Sequence, residues 1–208
     1  VVPNFIDLEK YNHKFTDCQR AMLAEDHEKI ITHISNLRPV KRSQDVISIF
    51  YNIQKEMPAK LMLIGEGPER EKIEYRCQEL GILDKVIFFG KSNEIDKILR
   101  YSDLFLLPSE TESFGLAALE AMASSVPVIS SNTGGIPEVN IHGVSGFLSN
   151  VGDVVDMTKN ALYILSDSER LKTFKENARK ASLKFDIHTI VPQYEAVYED
   201  TLAKCLVL

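Results

Sequence analysis

What the chain lacks narrows its class before any motif is read. Its 208 residues hold three cysteines, Cys18, Cys77 and Cys205, odd in number, widely spaced and nowhere arranged as Cys-x-x-Cys. Neither a disulfide framework nor a thiolate zinc site is indicated. Such cysteine usage fits a reducing compartment, and the cytoplasm is the expected location. No apolar run approaches the length of a membrane span, and the opening residues show no secretory leader pattern. An initiator Met is also missing. Val1-Val2-Pro3-Asn4 reads as the tail of a strand running into a turn, so an upstream part is expected. Basic excess is absent as well: 24 Lys and Arg face 30 Asp and Glu, a formal net charge of −6. That balance argues against a general nucleic-acid binder, which carries a basic face, and leaves room for a local basic pocket.

Several catalytic signatures are missing too. The five histidines (His13, His27, His33, His142, His188) show no metal-ligand spacing. No Asp-x-Asp pair occurs, so the usual carboxylate anchor for a divalent metal is absent and no metal site is expected. No Ser-His-Asp or Cys-His arrangement can be argued, and His33 falls in a predicted strand as a core residue. There is no internal repeat and no low-complexity segment.

What is there is a regular alternation. Hydrophobic residues make up 44% of the chain, enough for a substantial core at a length within reach of one domain. Strands are predicted at Ile30–Ile34, Leu61–Ile64, Val86–Phe89, Leu104–Leu107 and Val128–Ser130, with a short sixth at Gly146–Leu148. Helices are predicted over Gln44–Glu56, Glu69–Leu80, Asn93–Arg100 and Gly115–Ala123, and in three stretches after Asp153. Pro192 is expected to kink the last stretch or mark its first turn. This alternation implies an α/β fold, a Rossmann-like parallel sheet with helices on both faces. Ligands of such sheets bind beyond the C-terminal strand ends. The distinctive loops, Ser35–Arg42, Gly65–Pro68, Gly90-Lys91, Ser109–Gly115 and Asn132–Glu138, all follow strands and would line one cleft.

Four of these loops carry candidate chemistry. Ser35-Asn-Leu-Arg38-Pro-Val-Lys41-Arg42 packs three cations into five residues at a strand end. Arg38 and Lys41 could clamp a diphosphate, a planar fork beside a point charge; the plainer reading is a solvated basic turn. Gly65-Glu66-Gly67-Pro68 has the start of a dinucleotide fingerprint, but Arg70 stands at the third glycine, so a tight turn before a helix is the better reading. Glu112-Ser-Phe-Gly-Leu-Ala-Ala-Leu-Glu120 sets two carboxylates eight positions apart around a helix start. The unpaired N–H groups of such a start suit a phosphate. The helix is otherwise small and apolar, so Glu120 needs a partner, and a ribose diol would supply one. Together these features suggest a nucleotide sugar. Asn132-Thr-Gly134-Gly135-Ile-Pro-Glu138 offers a second set of backbone donors or a plain turn.

In this order the motifs resemble the C-terminal, donor-binding half of a GT-B glycosyltransferase of the large retaining family 4, also called group 1. The family's signature matches Glu112, Phe114, Gly115, Leu116 and Glu120. Val2-Pro3-Asn4 with Asp7, Gly65-Glu66-Gly67-Pro68, Phe89-Gly90, Leu107-Pro108-Ser109 and Gly134-Gly135-Ile136-Pro137-Glu138 recur in the same order over essentially the whole chain. One departure stands out: the family's Gly-Arg-Leu reads Ser35-Asn36-Leu37 here, so the usual arginine is missing at 36 and Arg38 is its nearest replacement. That variant is similar to the branch moving N-acetylglucosamine from UDP-N-acetylglucosamine to L-malate in bacillithiol biosynthesis.

The resemblance implies roles by position. Glu120 holds the ribose and Glu112 the donor sugar. Amides around Phe114, Gly115 and Leu116 meet phosphate and sugar, with Gly65 close by, and Gly90 and Lys91 lie where the base is read. Arg38 and Lys41 neutralise the leaving diphosphate, with no cofactor or metal. A small-molecule acceptor such as L-malate binds mainly on an N-terminal domain that residues 1–208 do not include, and 187–208 form the closing helix. Neither nucleic acid nor a membrane span is a partner, and an oligomer remains open. Three rivals stand beside this reading. A UDP-N-acetylglucosamine 2-epimerase is disfavoured by the Glu112–Glu120 spacing. The others are a non-catalytic nucleotide-sugar module and an NAD-dependent enzyme, the latter weakened by Arg70.

Overall fold

The computed structural model describes residues 2–12 and 20–205; Cys18 and His13 lie outside them. Six strands, β1 (Lys29–Ile34), β2 (Ala59–Ile64), β3 (Val86–Gly90), β4 (Leu104–Leu107), β5 (Val128–Ser131) and β6 (Gly146–Ser149), form one sheet in the order β3-β2-β1-β4-β5-β6. Every neighbouring pair is parallel. The order reverses between β1 and β4, the Rossmann switch point beside which ligands of such sheets bind.

The strands form where β-branched and apolar residues run without alternation, as expected of strands covered on both faces. β4 is buried throughout, and its side chains divide by parity. Leu104 and Leu106 enter one core with Ile31, Leu61, Leu63 and Ile129, while Phe105 and Leu107 enter the other with Val128. The first core is capped by α1 (Ser43–Glu56), α2 (Arg70–Glu79) and α6 (Val154–Leu165), the second by α4 (Leu116–Ala123), α5 (Ile136–Val139) and part of α7 (Ser168–Ser182). α1 shows why: Val46, Ile47, Ile49, Phe50 and Ile53 all fall on its buried face. α3 (Ile95–Leu99) is a short helix in contact with α4.

Two predicted features differ in detail. The run after Gly134-Gly135 makes only a four-residue helix, α5. Pro192 falls in the second turn of α8 (Ile187–Cys205), which continues through it. An exposed stretch tolerates the lost N–H bond because water can satisfy the freed carbonyl, and among the described residues of α8 only Ile190 is buried. The start of α8 is tied to the N-terminal segment: Ile6 donates to the Phe185 carbonyl, Ile187 donates back to Ile6, and Tyr194 stacks edge-on to Phe5.

No described helix is long and apolar enough to cross a membrane.

Candidate functional site

The loops at the C-terminal strand ends are bound to one another. After β1, a 3-10 turn over Pro39–Lys41 carries Lys41. The Val40 carbonyl accepts from Glu110 N–H (2.8 Å), joining this loop to the one after β4. Glu69 N–H donates to the Leu37 carbonyl (3.0 Å) and Gly65 N–H to the Gly90 carbonyl (2.7 Å), bringing in the loops after β2 and β3. Gly135 N–H donates to the Glu112 carbonyl (3.1 Å), and Thr133 Oγ1 to the Glu110 carbonyl (3.1 Å), bringing in the loop after β5. Gly65 is packed closely against the loop after β1. Its φ is +118°, and a Cβ there would lie 1.8 Å from the Ser35 carbonyl oxygen.

At the centre Lys41 Nζ meets Glu112 Oε1 at 2.5 Å. The same oxygen accepts from Ser109 Oγ at 2.9 Å. The side chains are only 22% and 13% exposed, so the pair is shielded although it opens to the cleft. Beside it, α4 starts at Gly115, whose φ is +91°. The N–H groups of Phe114, Gly115 and Leu116 donate to no other described residue, which leaves an anion-receptive helix end next to a cation. The Phe114 ring is engaged elsewhere, edge-on to Phe185 at 5.4 Å, so this residue offers the cleft its backbone.

Glu120 stands one turn into α4 and is half-buried. Its Oε1 accepts from Tyr11 Oη at 3.3 Å. Burial pushes its carboxyl above the usual carboxylate range, against the pull of the Tyr11 hydrogen bond. The Tyr11 phenol is pushed up in turn, by burial first and then by the Glu120 charge.

Arg38 caps the 3-10 turn and is exposed; its carbonyl accepts from Lys41 N–H at 2.9 Å, while its guanidinium has no ion pair or hydrogen bond to the described residues. Arg42, the third cation, turns away to Asp45 at 2.6 Å. Lys91 is exposed after β3, and Leu116 is 42% exposed at the mouth of the cleft. The structure thus brings Lys41, Glu112 and the start of α4 together, joins Gly65 to Gly90 beside the Ser35 carbonyl, and pins Glu120 separately through Tyr11. Ser109 and Tyr11 were not singled out from the sequence. Ser109 follows Leu107-Pro108 and was legible as part of that motif; Tyr11 lies 109 positions from Glu120, and no local pattern points to it. A concavity of about 760 Å³ lies elsewhere, among Met57, Phe147, Tyr163 and Phe174, and shares none of these residues.

A Rossmann-like sheet with an anion-receptive helix end and a cation at its switch point defines a nucleotide-binding class of fold, and one family within it matches. The profile of Glycosyl transferases group 1 covers residues 16–181, and the chain belongs to that family. It is 44% identical over 203 residues to the N-acetyl-alpha-D-glucosaminyl L-malate synthase of Bacillus anthracis, across 97% of this chain and 53% of that protein. It is 30% identical over 190 residues to sulfoquinovosyl transferase SQD2 of Arabidopsis thaliana, across 87% of this chain and 36% of that protein. Among solved structures, Anabaena HepE in complex with UDP and glucose superposes with a TM-score of 0.88 at 26% identity, covering 96% of this chain and 56% of that one. The chain therefore spans about half the length, or less, of the relatives it matches.

Proposed function

We propose that this chain is the donor-binding half of a retaining GT-B glycosyltransferase, that its donor is UDP-N-acetylglucosamine and that the sugar passes to L-malate, as in bacillithiol biosynthesis. The observation that carries the reading is the Lys41–Glu112 pair at the switch point, beside the unpaired α4 amides. A nucleoside diphosphate sugar needs a cation and N–H donors for its phosphates and an acceptor for its sugar hydroxyls, and these groups stand side by side here. The 44% identity to a malate-glycosylating enzyme supports the particular donor and acceptor.

In this reading the acceptor hydroxyl attacks the anomeric carbon on the face from which the diphosphate departs. The bond to the diphosphate oxygen breaks, and the departing oxygen takes up the hydroxyl proton. Lys41, with Arg38 beside it, stabilises the negative charge that grows on the diphosphate. Glu112 orients the sugar through its hydroxyls, and Glu120 accepts from the ribose. Gly90 and Lys91 lie along the base. The acceptor binds chiefly on polypeptide facing this cleft, and the protein works in the cytoplasm.

Calorimetric titration of the chain with UDP, UDP-glucose and UDP-N-acetylglucosamine, each with and without EDTA, tests the donor. Tighter binding of UDP-N-acetylglucosamine that EDTA leaves unchanged is the expected result. Preference for UDP-glucose would move the protein to another branch of the family, and no binding at all would remove the donor reading. Formation of glycosylated malate by the intact native polypeptide tests the acceptor. Binding without turnover there would favour a non-catalytic module.

A further inference from the structure

The ladder between β1 and β4 stops early. Its last pair is Thr32↔Phe105, whereas β1 stays paired with β2 as far as Ile34↔Ile64, and β4 with β5 as far as Leu107↔Ser130. The two central strands part before their ends, and His33 lies on β1 one residue past the last pair. Its side chain is fully buried. Nδ1 lies 2.9 Å from the Leu106 carbonyl oxygen, and Nε2 lies 2.8 Å from Ser35 Oγ.

These contacts fix the protons. A carbonyl can only accept, so Nδ1 carries the hydrogen. Burial, with the Lys41 charge adding to it, lowers the His33 pKa to about 4, so the ring is neutral and Nε2 is bare at pH 7. Nε2 therefore accepts from the Ser35 hydroxyl, whose oxygen accepts from Leu37 N–H at 3.1 Å. One directed chain runs from Leu37 through Ser35 and His33 to β4, and bonds aligned in this way reinforce one another. At its near end Leu37 is buried with φ +42°, a backbone state uncommon for leucine that the chain helps to hold. The Ser35 carbonyl is pressed against Gly65 on the other side.

A serine bonded to a histidine also occurs in nucleophilic catalysis. Here Nδ1 faces a backbone carbonyl in place of a carboxylate, the ring is sealed from the cleft, and the serine oxygen is already occupied by Leu37. The geometry suits holding a loop.

We infer that His33, acting through Ser35, is a positioning residue that fixes the turn from Ser35 to Arg38 and so sets how Arg38 and Lys41 meet a diphosphate. The inference rests on the proposed reading that a diphosphate binds at Lys41.

The test is an NMR titration of the chain with UDP and with uridine, using Ser35→Ala, Ser35→Thr, His33→Asn and Lys41→Ala. Ser35→Ala and His33→Asn are expected to weaken UDP roughly three- to ten-fold, the scale of one net hydrogen bond, with uridine unchanged. Ser35→Thr should restore UDP binding, which a purely structural role for the loop would not require. Parental UDP affinity in Ser35→Ala, or equal losses for UDP and uridine, would overturn the inference. If His33→Asn does not fold, the two Ser35 variants decide it. Lys41→Ala separates the two levels. A lowered UDP-to-uridine ratio there with no change in Ser35→Ala sinks the inference alone; an unchanged ratio in Lys41→Ala sinks the diphosphate reading and the inference with it.

Discussion

Lys41 and Glu112, 71 positions apart in the chain, share one shielded ion pair at the mouth of the crevice between β1 and β4. The pair sets up a competition. Under the proposed reading, a diphosphate arriving at Lys41 would meet a cation already paired, with the Glu112 carboxylate beside it.

Glu112→Gln removes that anion and keeps a carbonyl oxygen to accept from Ser109. UDP is expected to bind as well as before or more tightly, while the preference for UDP-N-acetylglucosamine over UDP disappears. Lys41→Ala leaves a shielded carboxylate unpaired. It should weaken both ligands and cost roughly 1–3 kcal/mol of stability, below the range for a fully buried pair because both side chains retain some exposure. Titration of both ligands into each variant separates these outcomes, and a parallel loss of UDP and UDP-sugar in Glu112→Gln would refute the sugar role.

Gly65→Ala tests how tightly the loops are packed. The new methyl would sit 1.8 Å from the Ser35 carbonyl oxygen, at a φ of +118° that L-residues rarely adopt, so backbone has to move. Gly81 is the control: its φ is +68°, but nothing lies within 4 Å of a Cβ there. Gly81→Ala should cost about 1 kcal/mol from the left-handed backbone alone, and Gly65→Ala upwards of about 3 kcal/mol. Urea melts measure both, and similar losses would mean that the loop after β1 yields easily.

Much of this architecture was legible in the sequence, for identifiable reasons. Leu104–Leu107 and Val128–Ser131 are covered on both faces, so their apolar runs carry no competing period. The start of α4 was marked by Gly115 and by the small apolar residues that follow. Lys41 and Glu112 could each be nominated from strand-end positions. Their pairing could not, because it depends on β1 and β4 lying side by side, which is a property of strand order. Tyr11 on Glu120 and His33 on Leu106 were hidden for the same reason. His33 was read as a core residue and is fully buried; what it does there depends on where the β1–β4 ladder stops. Pro192 was expected to kink the last helix or mark its first turn; it lies in the second turn of α8, which starts at Ile187 and continues through it.

Glu120→Gln should stabilise the unliganded chain while weakening UDP. Burial holds the carboxyl above its ordinary range, and a raised pKa makes an acid's contribution to stability fall as pH rises through the folded value. At neutral pH the ionised side chain is therefore a cost, which the glutamine avoids while still accepting from Tyr11. The expected gain is about 1 kcal/mol, a common exchange of function for stability. The parent should also lose UDP affinity as pH falls through the raised Glu120 pKa, since the protonated carboxyl accepts less well from a ribose diol. The glutamine variant should show no such dependence. Unaltered UDP binding in Glu120→Gln would remove this residue from the site.

At the opposite end of β4, Asp103 should govern acid stability without touching the ligand. Its carboxylate accepts from Lys175 Nζ at 2.8 Å, Ile30 N–H at 3.0 Å and Arg20 Nη2 at 3.3 Å. Burial alone would raise its pKa, but Lys175 and the other two partners outweigh that and hold it below the ordinary 3.8. A depressed folded pKa gives stability that is present above the unfolded value and lost as pH falls through the folded one. Asp103→Asn should therefore cost about 2 kcal/mol at pH 7, with Lys175 and Arg20 left partly desolvated and without an anion. The gap between parent and variant should narrow below about pH 4, as the parent's own carboxylate protonates. Urea midpoints from pH 3 to 7 measure this, and a gap that stays constant across the range would mean that packing alone accounts for the loss. Because Asp103 precedes β4 and the cleft follows it, the folded variant should bind UDP with parental affinity.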